Sequence, residues 1–213
     1  MKLVDRSLES FLSELGSASP APGGGSAAAL AGAAAAALCA MGCRLTLGRD
    51  PYREAWPAVE KALDESQRLE ARFRGLIDQD ADAYLSVAAA RALPRGTAAQ
   101  KEAREAAIQA AAVRAAEAPM ETLESLRACV GIAGLLVEKG NTNCRTDAGC
   151  AGALCRAGAL AAAYNVRVNL PSIGKTLRDS LLARAGEALA EVQTAADRVA
   201  QRLEEHLGER STP

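Results

Sequence analysis

The sequence predicts an all-α protein: a single domain, residues 1–213, of long, mostly antiparallel helices around a central alanine-rich helix. Three observations carry that prediction. Apolar residues make up 49% of the chain and aromatics only 3%; alanine supplies much of the apolar share, and small side chains let helix backbones pack at close range. Two long segments place apolar residues at alternating steps of three and four, the period of a buried helical stripe. The stretch that alternates like a strand, "NVRVNLPSIG", has no partner strand elsewhere.

Residues 3–15 read as a short amphipathic helix with Leu3, Leu8, Phe11, Leu12 and Leu15 on one side. Pro20, Pro22 and the glycine triplet then break the chain, and Ser26 or a neighbour is placed to cap a helix running to about Leu47. A second break, "GRDPYREAWP", offers Asp50 and Pro51 as a helix start. From Val59 the stripe runs through Ala62, Ser66, Leu69, Phe73, Leu76, Asp80, Ala83, Val87 and Ala90, and "LPRGT" at 93–97 ends it. The next helix extends to about Glu138, kinked or divided at Pro119, with Leu123, Leu126, Val130, Ala133 and Val137 inward. Gly140 suits a C-terminal cap, and a small-residue helix follows from about Asp147 through Tyr164. The last helix carries Leu182, Ala185, Leu189, Val192, Ala196, Val199, Leu203 and His206 on one stripe. Rods of roughly 30 residues, about 45 Å long, leave flat faces that self-association covers, so a homodimer is expected.

Several function classes find no support. With 25 basic and 26 acidic residues the net charge is −1, and no long like-charged run favours nucleic acid or a membrane surface. Residues 27–43 carry no charge, but their apolar content is mainly alanine with Leu30, Leu38 and Met41, too weak for a bilayer span and suited to a buried helix. "MKLVDRSLESFLSELG" interleaves acids with leucines, unlike a signal peptide. Six cysteines without a secretory signal point to free thiols in a reducing cytoplasm. No CxxC pair is present and the chain holds one histidine, so no metal site is expected.

Four places could carry chemistry. Gly23, Gly24 and Gly25 lack Cβ atoms, so they form either a bare floor for a ligand or a tight turn that starts a buried helix. This is no phosphate loop, since the GK[ST] ending and a preceding strand are missing, and no GxGxxG is present. Asp80 sits on the apolar stripe while Asp78 and Asp82 fall off it and are expected in solvent. A buried carboxyl is either a proton-transfer group with a raised pKa or half of a structural pair across the bundle. Asn141, Asn143, Asp147, Asn165 and Asn169 cluster at helix ends, where they either read a heterocycle by paired donors and acceptors or cap helices. Arg95 is a lone cation in a turn.

Taken in order, "SPAPGGGSAAALAGAAAAALCAMGCRLTLGR", "DQDADAY" with "LPRGT", "EKGNTNCRTDAG" and "YNVRVNL" resemble the cyclodeaminase/cyclohydrolase family of folate enzymes over nearly the whole chain. The resemblance implies an all-helical homodimer that acts on a tetrahydrofolate derivative without cofactor or metal. It implies Asp80 as the catalytic residue, and Pro22, Gly23, Gly24, Gly25, Ser26, Asn141 and Asp147 as folate-binding residues; Asn165, from the amide cluster, and Arg95, by its charge, are expected to join them. The chain is similar to the free-standing methenyltetrahydrofolate cyclohydrolases, which convert 5,10-methenyltetrahydrofolate to 10-formyltetrahydrofolate. The alternative is the cyclodeaminase reaction, which releases ammonia from 5-formiminotetrahydrofolate; a non-catalytic helical oligomerisation module is the third reading. Where the family often has "LPKN" this chain has Arg95 and Gly96, and where it often has "GNLNxxSD" this chain has Thr142 and Arg145. A polyglutamylated folate tail would find Arg95 or a neighbouring basic residue as partner.

Overall fold

The computed structural model describes residues 2–210, and among them the chain forms helices and connecting turns with no strand. The six α-helices are α1 (Leu8–Leu15), α2 (Gly24–Thr46), α3 (Trp56–Arg91), α4 (Ala98–Lys139), α5 (Arg145–Asn169) and α6 (Lys175–Arg210). α2 is the central rod and packs on α3, α4 and α5, while α6 closes the outside of α4 and α5. Its inward residues, Ala29, Ala35, Ala36, Cys39 and Cys43, are inaccessible to solvent.

Residue pairs across the helices set their directions. Ser26 of α2 meets Asp80 of α3, and Gly32 faces Phe73, so α2 and α3 are antiparallel. Gly42 faces Leu136, Gly24 faces Asn165 and Gly152 faces Val199. Successive long helices therefore alternate in direction, as predicted. Small residues are what permit this spacing: a Cβ on Gly32 would stand 2.5 Å from the Phe73 ring, closer than packed atoms can approach.

Both long stripes face the core, with local corrections. Within α3 all the predicted positions are buried except Asp80 and Ala83, which are half-buried. Residues 3–15 are not one helix, because Leu3–Asp5 is a 3-10 turn before α1. Its register is held by Asp78, which is half-buried rather than solvated and accepts the Leu3 N–H at 2.6 Å. Only Phe11 of α1 is buried; Leu8 and Leu12 face solvent. Asp50–Ala55 forms a 3-10 turn, so α3 starts at Trp56 with Pro57 in its first turn. The stripe of α6 begins at buried Leu181, and Leu182 is exposed.

Pro119 does not divide α4, which is continuous from Ala98 to Lys139. Proline lacks the N–H that would bond the Ala115 carbonyl one turn earlier. Asn169, at the end of α5, replaces that donor with its Nδ2 at 3.0 Å from Ala115 O. The orphaned carbonyl is thus satisfied from a neighbouring helix, and α4 tolerates the proline. At its other end, Thr97 and Gln100 form a reciprocal capping box.

Candidate active site

The N-terminus of α2 lacks a cap of its own. Gly23 stands at the N-cap and offers no side-chain acceptor to the free N–H groups of the first turn. Ser26 does not cap the helix; it lies inside the first turn, fully buried. Its Oγ stands 3.0 Å from Asp80 Oδ2 and 3.0 Å from the Ile77 carbonyl, both on α3. The Ser26 backbone N–H lies on the same side and favours the ionised Asp80 carboxylate. Asp80 therefore places a negative group at the positive end of α2, from across the bundle.

Gly25 is what lets the carboxylate reach that position. A Cβ at residue 25 would stand 2.0 Å from Asp80 Oδ1 and 2.5 Å from its Cγ. Burial pushes the Asp80 pKa above the ordinary carboxylate value, and the two Ser26 donors, which favour the ionised form, do not offset it. Such a carboxyl takes up and returns a proton closer to neutrality than a solvated aspartate does.

Asp80 opens onto a cleft of about 240 Å³ lined also by Gly23, Gly24, Tyr84, Arg91, Asn165 and Asn169. Gly23 faces open space, and a Cβ on Gly24 would stand 3.1 Å from Asn165 Nδ2. That amide donates to the Ala161 carbonyl at 2.9 Å, which fixes its side chain on the cleft wall. Of the predicted residues, Asp80, Gly23, Gly24 and Asn165 line this cleft, with Gly25 and Ser26 immediately behind it.

The other predicted residues lie elsewhere. Pro22, which follows a cis peptide bond, is buried and lines the neighbouring groove with Lys2, Arg6 and Asp78. Arg95 is on the exposed 93–97 turn outside the cleft, and Arg91, one turn before it, is the cation that lines it. Asn141 is at the opposite end of α2, about 34 Å away along the helix. It is buried, donates Nδ2 to the Leu45 carbonyl at 2.8 Å, and donates its backbone N–H to Thr46 Oγ1 at 2.9 Å. Asp147 lies at that same end, in the first turn of α5 rather than at its cap, which is Cys144. Within one chain, then, the asparagine turn and Asp80 occupy opposite poles.

Asn169, one of the candidate asparagines, completes the cleft wall with Tyr84 and Arg91, which are not among the sequence candidates. Tyr84 and Arg91 follow Asp80 by four and eleven residues, which is the spacing of one helix face; that periodicity could have found them. A larger cavity of about 430 Å³ opens between α4 and α6. Its carboxylate, Glu138, stands 3.9 Å from Arg202 with both side chains more than half exposed, so it lacks the desolvated acid of the smaller cleft. Among the described residues no three His, Cys, Asp or Glu side chains are grouped to hold a metal ion.

Fold and cleft together define an all-helical protein with one desolvated carboxyl on a glycine floor, an arrangement for proton transfer to and from a bound ligand. Its relatives give the class a family: the formiminotransferase-cyclodeaminase family model matches residues 7–187, and the chain belongs to that family. It is 35% identical to methenyltetrahydrofolate cyclohydrolase of Methylorubrum extorquens over 165 residues, covering 78% of this chain and 79% of the relative. It is 30% identical to formimidoyltransferase-cyclodeaminase of Rattus norvegicus over 203 residues, 95% of this chain but only 38% of that much longer protein. The crystal structure of formiminotetrahydrofolate cyclodeaminase from Thermotoga maritima superposes with a TM-score of 0.85 at 26% identity, covering 95% of this chain and 98% of the other.

Proposed function

We propose that this protein hydrolyses 5,10-methenyltetrahydrofolate to 10-formyltetrahydrofolate, with Asp80 as the proton carrier. The observation that carries the reading is the Asp80 carboxyl, half-buried, held by Ser26 and open to the glycine-floored cleft. The substrate carbon is an amidinium and already electrophilic. Water adds to it, a C–O bond forms, and Asp80 takes the proton that the attacking water loses. The C–N5 bond then breaks as Asp80 returns that proton to N5; the remaining hydroxyl proton leaves to solvent, and the formyl group stays on N10. The chain's own residues suffice for these steps, so no cofactor is invoked.

The cleft, at about 240 Å³, is smaller than the roughly 300–1,000 Å³ of drug-sized ligand sites, and suits the reacting end of a folate with the tail extending outward. Arg91 at the cleft wall, with Arg95 one turn on, is the proposed partner for tail carboxylates, including those of a polyglutamylated substrate. A homodimer is proposed on the open side of α2. Just 56% of its 18 most apolar consecutive residues are buried within the chain, and the strip of exposed Ala34 and Ala37 with half-buried Ala31 and Met41 carries no charge. Beside it, α5 exposes Leu160, Tyr164 and Val168. A second copy covering this face would shield both. Five buried cysteines kept as free thiols support a cytoplasmic setting.

The second reading, cyclodeaminase, is favoured by the close match to the Thermotoga maritima structure. There N10 attacks the formimino carbon, Asp80 moves the N10 proton to the departing nitrogen, and ammonia leaves. Two assays on the purified protein separate the readings: disappearance of the methenyl chromophore, and ammonia release from 5-formiminotetrahydrofolate. Catalysed loss of the chromophore is expected. Ammonia release without it transfers the function to the second reading, and neither activity removes both.

A further inference from the structure

The Ser26 hydroxyl carries one proton and stands at equal distance, 3.0 Å, from two acceptors: Asp80 Oδ2 and the Ile77 carbonyl. Ser26 has no solvent exposure, so neither water nor a ligand in the cleft reaches its hydroxyl. Two arrangements satisfy every donor. With Asp80 ionised, the hydroxyl donates to Oδ2, and the Ile77 carbonyl keeps its bond within α3. With a proton on Oδ2, that proton is donated to Ser26 Oγ, and the hydroxyl turns to the Ile77 carbonyl. A rotation about one C–O bond converts the first arrangement into the second, and no buried polar group is orphaned in either.

We infer that Ser26 is not a substrate contact but a positioning residue that holds Asp80 in one place through both protonation states, by reversing its hydrogen bond. The inference deepens the folate reading and rests on it for the meaning of the proton cycle. An acid that must accept a proton in one step and release it in the next gains from a partner able both to donate and to accept. Backbone N–H groups can only donate, so the Ser26 N–H alone would favour the ionised state.

The surroundings leave this pair as the local control. The ionisable side chains lining the cleft with Asp80 are Tyr84 and Arg91, both from α3 itself. The segment before α2 contributes Pro20 and Ala21, α2 contributes Gly24, and α4 contributes Ala115. α5 contributes Asn165, Val168 and Asn169, so no packed neighbour of α3 brings a titrating group to the cleft. Asp78 and Asp82 open instead to the adjacent groove with Lys2, Arg6 and Glu14.

The test follows the Asp80 carboxyl directly, by 13C NMR titration with the resonance assigned through its loss in Asp80→Asn. Ser26→Ala removes a charge-assisted bond from the ionised form and a weaker neutral one from the protonated form. The Asp80 titration should therefore move up by about one pH unit, and the acid limb of the rate profile should move with it. kcat falls at least ~10-fold with KM held, since the substrate loses no contact. Ser26→Cys, close in volume but a weak donor, shifts the titration in the same direction by less, and serves if the alanine variant does not fold. An unmoved titration with only a lower Tm would make Ser26 a staple to Ile77 and overturn the inference. A raised KM at unchanged kcat would make it a substrate contact and overturn it equally. The titration needs no turnover, so absence of folate activity in the wild type would refute the proposed function while leaving this inference to the NMR result.

Discussion

Gly25→Ala adds one methyl group where the structure has no room for it. The new Cβ would stand 2.0 Å from Asp80 Oδ1, whereas real Cβ atoms essentially never approach a neighbour within 3.0 Å. The carboxylate must therefore retreat by about 1 Å, and it is the softer partner, because Gly25 is fixed in the first turn of α2. A retreat of that size lengthens the 3.0 Å contact with Ser26 and misplaces the proton-carrying oxygen. Displacements of about 1 Å at a reacting group cost on the order of 100-fold in rate, equivalent to about 2.7 kcal/mol of barrier. Stability moves little by comparison, since alanine in a helix gains up to about 1 kcal/mol over glycine and offsets part of the crowding. Steady-state turnover and thermal unfolding of the same preparation separate the two effects. Wild-type turnover in folded Gly25→Ala would refute the reasoning, because it would mean that the carboxylate need not lie against the glycine.

Two further consequences follow from the same geometry. Asn169→Ala leaves the Ala115 carbonyl without the donor that replaces the missing Pro119 N–H; a loss of about 1–2 kcal/mol should lower Tm by about 2–8 °C, and an unchanged Tm would show that another donor reaches that carbonyl. Burial raises the folded-state pKa of Asp80 above its unfolded value, so the folded chain binds that proton more tightly. The associated stability is fully present below the unfolded pKa and is lost as pH rises through the folded one. Asp80→Asn removes this dependence, so its Tm relative to wild type should rise between acidic and neutral pH; a pH-independent difference would contradict the raised pKa.

The fold was largely legible because its signals are local and periodic. The stripe from Val59 to Ala90 needs only a 3.6-residue repeat to be read, and it faces the core as expected. Asp80 stood out by the same means, as the one carboxylate on that stripe. Pro119 misled because its cost is set by tertiary structure: the compensating donor, Asn169, lies 50 residues further along the chain. Serine near a helix start commonly caps it, which makes Ser26 or a neighbour the expected cap, yet the Ser26 hydroxyl is turned inward to α3. The asparagine turn illustrates a different limit. Its residues share a motif with the family, but a single chain sets Asn141 at the far end of α2 from Asp80, where it satisfies the Leu45 carbonyl. Sequence order carries no information about which pole of a bundle a turn occupies.

Surface ion pairs that bridge α4 and α6, among them Arg127 to Glu191 at 3.2 Å, Arg184 to Glu124 at 2.6 Å and Arg202 to Glu138 at 3.9 Å, are about half exposed and worth roughly 0–1 kcal/mol each. Cohesion comes instead from close-packed small residues along α2, α4 and α5. The thiol cluster belongs to that packing: burial pushes Cys43 up to about 12, and Cys39 donates toward the Cys129 carbonyl at 3.9 Å. Such thiols stay protonated and behave as small apolar side chains.

Turnover of 5,10-methenyltetrahydrofolate by Asp80→Asn tests the role of Asp80 most directly. Asparagine nearly preserves the volume, keeps an acceptor for the Ser26 hydroxyl and removes only the titratable group. The expected result is a protein that folds as the wild type does and turns over at least ~100-fold more slowly. Near-wild-type turnover from that variant would show that the proton is carried by another group and that the buried carboxyl only caps α2.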